Sequence, residues 1–270
     1  MSPLWRDEVR VFVAPKRIML VRMKRGIRAQ VLAERSVLVD TRETNSWEAA
    51  LNTLDNCLAD PLWNGANARL VITDHWARYS TVPWTDAISG DAERIAHARM
   101  CMANTFGDLV SRWTVTISES APGTAQVACG IPNELLARIR ALCESNGLRI
   151  RSIQPYLIAA FNSWRDKMPG NGAWFVTLDE GSLAAAHFSN THWDCVRSVR
   201  IGDDWEIELK RLQTFGRLAG NSDAPSRVFV DAPRWLRDKA PSRERNFEWL
   251  DDGTQSPGSD GISLLQRMYA

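Results

Sequence analysis

Three short stretches of this 270-residue chain carry side chains with chemistry to offer. Leu178-Asp179-Glu180-Gly181-Ser182 joins two apolar runs through an Asp-x-Gly turn. Glycine in such a turn lets backbone amides approach an anion, and the carboxylate can position a metal or water. His187, His192, Asp194 and Cys195 gather nitrogen, oxygen and sulfur in a short span. Zinc asks for near-tetrahedral N/S ligation from paired motifs, and an extended strand sends His192 and Cys195 to opposite faces. Cys195 beside His192 also lacks a group to orient the base. No metal and no nucleophile are expected there. Lys16 and Arg17 sit at another turn, where exposed basic residues are commonplace. His75 and His97 stand alone. With no Gly-x-Ser-x-Gly elbow and no compact Ser/His/Asp set, an α/β enzyme of hydrolase type is the last choice.

The elements that hold these residues state one plan twice. VRVFV (from Val9), RIMLVRM (from Arg17) and AQVLAERSVLV (from Ala29) precede an amphipathic helix from Trp47. AWFVTL (from Ala173), LAAAHF (from Leu183) and DCVRSVRI (from Asp194) precede another from Trp205. Short connections at Ala14-Pro15-Lys16 and Lys24-Arg25-Gly26 imply antiparallel pairing. A meander followed by a helix, repeated, is the plan of folds that pack two similar lobes around a cleft. Between the copies, Arg69–Thr73 reads as a buried parallel strand and Ala77–Trp84 as an extended piece. Further strands start at Trp113 and Ala125. A helix starts near Asp91, and another has Pro132 at its first position, stopped by Asn146-Gly147. Asn45 with Glu48 fits a capping box. Ser226–Pro233 is a late buried strand. The division is a first lobe over 1–168, a second over 169–240, and a largely irregular tail over 241–270, in which Ser263–Tyr269 is able to dock.

Composition narrows the function. Lys and Arg number 33 against 32 Asp and Glu, and no basic patch is obvious, so no nucleic-acid partner is expected. No apolar run approaches the roughly 20 residues of a membrane span, and no signal-like h-region follows the N-terminus. Five cysteines without close pairs read as small buried hydrophobes in a reducing compartment, hence a cytoplasmic protein. Among the 12 tryptophans, Trp47, Trp164 and Trp205 fall on apolar helical stripes. Trp63, Trp76, Trp84 and Trp235 fall in loops or at element ends and are candidates for partner contact.

The element order resembles the actin-like (RNase H-like) ATPase fold. Within it the chain is most similar to PilM-type cytoplasmic assembly proteins of type IV pili and to the cytoplasmic domain of type II secretion GspL proteins. The stretches from Arg69 (RLVITDHWARYSTVPW), Glu93 (ERIAHARMCMANTFGDLVSRWTVTI) and Val127 (VACGIPNELLARIRALCESNGLRIRSIQPYLIAAFNSW) carry the resemblance. By order of elements it spans about residues 8 to 239. Such ATPases grip phosphates with two Asp-x-Gly hairpins, one per lobe, and a Gly-Gly loop on the adenosine side. Here the first turn, Val13-Ala14-Pro15-Lys16-Arg17, has neither Asp nor Gly, and its proline removes an amide donor. The loop Val230-Asp231-Ala232-Pro233 has no glycine.

Only the second turn survives, with Asp179, Gly181 and Ser182 as the residual phosphate-binding residues. An ordinary Asp/Gly-rich turn is the preferred account of it, because its partner loops are missing. The resemblance implies an α/β fold of two lobes, each a mixed sheet of antiparallel meander and parallel strands flanked by helices. It further implies a non-catalytic scaffold of a type IV pilus or type II secretion type assembly, with no cofactor and no catalytic residue. The implied partner is the cytoplasmic segment of an inner-membrane assembly protein, docked near Arg69–Phe106, with an assembly ATPase as a second partner. The protein would then lie in the cytoplasm, peripheral to the inner membrane. The alternative is an active nucleotide-binding ATPase using Asp179.

Overall fold

The computed structural model describes residues 6–24, 26, 30–40, 47–88, 90–168, 172–189, 192–202, 204–218, 227–237, 247–250 and 265–266. The first half contains β1 (Glu8–Val13), β2 (Arg17–Lys24), β3 (Gln30–Leu38), α1 (Trp47–Leu58), β4 (Asn67–Ile72), β5 (Arg78–Val82) and α2 (Asp91–Phe106). It continues with β6 (Trp113–Ile117), β7 (Gln126–Pro132), α3 (Asn133–Ser145), β8 (Arg149–Pro155) and α4 (Tyr156–Trp164). The second contains β9 (Ala173–Asp179), β10 (Ser182–Ser189), β11 (His192–Arg200), α5 (Trp205–Leu218), β12 (Arg227–Asp231), α6 (Arg234–Arg237) and β13 (Phe247–Trp249).

Two five-stranded sheets repeat one order, β3-β2-β1-β4-β8 and β11-β10-β9-β12-β13. In each, an antiparallel meander is extended by parallel strands reached through a crossover. The central strands β1 and β9 are buried along their whole length, as runs covered on both faces must be. Edge strand β3 instead alternates between exposed and half-buried positions. Helix α1 covers one face of the first sheet with Ala50, Leu51, Leu54, Cys57 and Leu58. Helix α4 joins the lobes: its Tyr156 stacks edge-on to Phe12 of β1, and its Phe161 to Phe175 of β9.

The structure revises several expectations. Pro132 ends β7 and caps α3 from outside, at φ −54° and ψ 130°, so it precedes the first helical residue. Proline's fixed φ suits both positions, which its spacing cannot separate. Strands β5, β7 and β6 form a separate three-stranded sheet with α2 packed on it. The second sheet runs past residue 240, because β13 pairs in parallel with β12. A three-residue edge strand in a charged stretch leaves no periodicity to read. In the same tail Leu265 is fully buried against the first lobe, and Arg10 Nη1 donates to the carbonyls of Leu265 and Gln266 at 3.0 and 2.8 Å. The Asn45 end of the proposed capping box lies outside the described residues.

Candidate functional site between the lobes

The ends of β4 and β9 face each other across the lobe boundary, and each carries a threonine and an aspartate. Thr73 Oγ1 donates to Asp179 Oδ2 at 2.6 Å, and Thr177 Oγ1 donates to Asp74 Oδ2 at 2.7 Å. The exchange is reciprocal. Asp74 Oδ1 also accepts from the Tyr79 hydroxyl and, at 3.1 Å, from the Leu157 amide at the start of α4. Asp179 Oδ1 accepts from the Glu180 amide at 2.8 Å. Asp74 and Asp179 are 2% and 3% exposed, and both oxygens of each carboxylate are taken up by these bonds. Burial raises both carboxyls to about 6, against the lowering effect of their hydrogen bonds. Burial and the neighbouring Asp74 charge push the Tyr79 hydroxyl well above its ordinary value, so it serves as a fixed donor.

The three loops that correspond to the nucleotide grips of the resembled fold are each closed on the protein itself. In the first turn, the Ala14 amide closes the hairpin on Arg17 O at 3.0 Å. The carbonyls of Val13 and Lys16 accept from the amides of Thr73 and Val39. Pro15 contributes no amide and Lys16 is exposed. In the second turn, Asp179 points to Thr73. Gly181 adopts φ +85°, the left-handed conformation that glycine takes without strain. Ser182 is buried, and its hydroxyl finds no partner among the described residues. On the adenosine side, Asp231 is fully buried and accepts from Tyr156 Oη at 3.0 Å and Trp164 Nε1 at 3.1 Å. Both aspartates therefore pin the second lobe to the first, Asp231 through α4.

The histidine-rich stretch is also built for structure. A bulge between His187 and Phe188 makes room for Asp194 beside His187. Asp194 Oδ2 is 2.7 Å from His187 Nδ1 and accepts from Ser189, and Oδ1 is 3.3 Å from His192 Nε2. Cys195 instead packs on the α5 side of the sheet. Among the described residues no group of three or more His, Cys, Asp or Glu is placed to hold a metal ion. Trp63 and Trp76 are buried at 0% and 7% exposure, so they are core residues and not partner contacts. Trp84 is half-buried and donates to Asp86. The Trp235 side chain lies outside the described residues.

Sequence reasoning missed Thr73, Asp74, Tyr79 and Thr177. The alternation of β9 could have placed Thr177 and Asp179 on one face, but nothing local indicated what they face.

No protein-family model matches the chain, and no curated protein is detectably similar. Solved structures are. The PilM–PilN type IV pilus biogenesis complex aligns with 90% of this chain and 88% of that one, at TM-score 0.64 and 12% identity. The cytoplasmic domain of EpsL, an inner membrane component of the type II secretion system of Vibrio cholerae, aligns over 97% and 94%, at TM-score 0.58 and 11% identity. A Bacteroides thetaiotaomicron protein with actin-like ATPase fold and unknown function aligns over 98% and 99%, at TM-score 0.60 and 10% identity. The chain has the actin-like ATPase fold, with two lobes of related sheet order. Among the described residues no helix is long and apolar enough to cross a membrane.

Proposed function

We propose that this chain is a non-catalytic, cytoplasmic scaffold of a bacterial type IV pilus or type II secretion type assembly. It binds the cytoplasmic segment of an inner-membrane partner and is held at that membrane through it. One observation carries the non-catalytic part. The surviving phosphate-turn carboxylate, Asp179, is buried and bonded to Thr73 across the lobe boundary, opposite a turn built from Ala14 and Pro15. Nucleotide hydrolysis needs converging surfaces around the phosphates, and here Thr73 bonds both to Asp179 and to the Val13 carbonyl beside the first turn. The likeness to the PilM–PilN complex and to EpsL supports the assembly role.

The partner segment docks on the unit formed by the three-stranded sheet and α2. That unit leaves Met100 59% and Leu109 58% exposed, and exposed apolar side chains favour partner contact. Co-purification with the cytoplasmic segments of pilus or secretion inner-membrane proteins tests the reading. Capture lost in Met100→Asp/Leu109→Asp supports it, and no capture of any such segment defeats it. Calorimetry with ATP and magnesium tests the alternative of an active ATPase. Micromolar binding abolished by Asp179→Ala would establish that alternative.

A further inference from the structure

The junction between the three-stranded sheet and the second five-stranded sheet concentrates positive charge over unsatisfied donors. Ser198 Oγ lies 3.4 Å from the Ala77 carbonyl, which seats β11 against the start of β5. Arg78 follows Ala77, and its Nη1 is turned back onto the carbonyls of His75 and Ala77 at 3.0 and 2.8 Å. Arg200 lies two residues beyond Ser198 on the same face of β11, directly across from Ser182 on β10. The two side chains thus come from different sheets, near enough for the charge of Arg200 to act on Arg78. Among the described residues no carboxylate pairs with either of them.

Beneath them lies an unpaired polar floor. His75 is 6% exposed, Ser182 is 2% exposed, and neither ring nitrogen of His75 nor the Ser182 hydroxyl has a hydrogen-bond partner among the described residues. Burial, then Arg200, then Arg78 push His75 down to about 4, so the ring is neutral and presents one N–H. The Gly181 backbone is near enough to oppose that shift without reaching hydrogen-bond geometry. Burial and the Arg200 charge likewise lower Arg78. Buried polar groups are nearly always satisfied, and paired guanidiniums without an acid repel.

We propose that Arg78 and Arg200, over the His75 ring and the Ser182 hydroxyl, form a binding site for one phosphate-class oxyanion that bridges the two sheets. Guanidinium forks match tetrahedral oxyanions with charge-assisted hydrogen bonds, and the neutral His N–H and Ser O–H add donors without further charge repulsion. The first-lobe turn at Ala14–Lys16 contributes nothing to this set, so the ligand is an oxyanion and not a triphosphate gripped from two hairpins. A bound oxyanion would fasten the α2-bearing unit to the second lobe. This inference stands independently of the scaffold reading, since either can fail alone.

The test is titration of the full chain with inorganic phosphate at constant ionic strength, with chloride as the balancing salt, read by thermal melting and calorimetry. The expected result is a saturable rise in melting temperature that chloride does not give. Arg200→Ala, at an exposed position, is expected to fold normally and to weaken phosphate binding at least tenfold. Arg78→Ala should weaken it by a similar factor, and Ser182→Ala by less. ATP with magnesium is the second arm, and it should bind no more tightly than phosphate. Equal melting in phosphate and chloride overturns the proposal, as does unaltered binding by Arg200→Ala. Tighter ATP binding that survives Arg200→Ala overturns it in favour of a nucleotide site.

Discussion

The turns after β1 and β9 occupy the same place in two sheets of the same strand order, yet they are made differently. The first, around Ala14 and Pro15, is closed by its own backbone, and its carbonyls accept from Thr73 and Val39. The second keeps Asp179 and a left-handed Gly181, but its carboxylate is committed to Thr73. The carboxylate of an Asp-x-Gly turn can therefore serve as a joint between lobes. The pairs Thr73–Asp179 and Thr177–Asp74 bond the two lobes to each other through buried side chains.

The largest effect should come from Asp74→Ala, which deprives Tyr79, Thr177 and the Leu157 amide of one shared acceptor. Each orphaned buried donor costs about 1–3 kcal/mol, so a total on the order of 3–5 kcal/mol is expected in denaturant unfolding. A loss below about 1 kcal/mol would mean that the lobes are not joined at Asp74. Next is the pH response of Asp179, whose ordinary value of 3.8 is raised to about 6 by burial. Between those values the native state holds the extra proton. Its contribution is therefore full below pH 4 and lost as pH rises through 6, worth roughly 2–3 kcal/mol. His75, lowered from 6.5 to about 4, has the opposite slope over an overlapping window. The informative quantity is thus the difference between Asp179→Asn and the parent at each pH, in which the His75 part cancels. That difference should shift in favour of the variant from pH 4 to pH 7, and a flat difference contradicts the buried joint.

Smaller effects separate the two turns. Gly181→Ala meets no neighbouring atom but places a side chain at φ +85°, costing about 1 kcal/mol by thermal melting. Lys16→Ala, at the exposed tip of the other turn, should change stability by less than about 0.5 kcal/mol. A larger loss there would show that the first turn holds a contact of its own.

Much of the fold was legible because it rests on local signals. The apolar-rich runs of β1 and β9 mark buried strands, and the stripe Leu135, Leu136, Ile139, Leu142 and Cys143 marks α3. The Gly181 turn and the stop at Gly147, φ +66°, follow from glycine's conformational freedom. Trp63 and Trp76 misled, since a tryptophan at an element end or in a loop gives no sign of whether it faces solvent or the core. The three-stranded sheet escaped notice because strand runs do not reveal which sheet they join. Of the site, Asp179 and Gly181 were legible as a turn, but the role of the carboxylate was not.

What the chain's own order of residues determined is the repeated meander-and-helix plan, two loops without glycine and the Asp-x-Gly of a third, all properties of neighbours along the backbone. Only the tertiary structure decided that Asp74 and Asp179 exchange threonines, that Asp231 is held by Tyr156 and Trp164, and that Arg78 lies within reach of the Arg200 charge. The reason is physical. Burial and hydrogen bonding between residues about a hundred positions apart depend on how the lobes pack, and packing leaves no trace in local spacing.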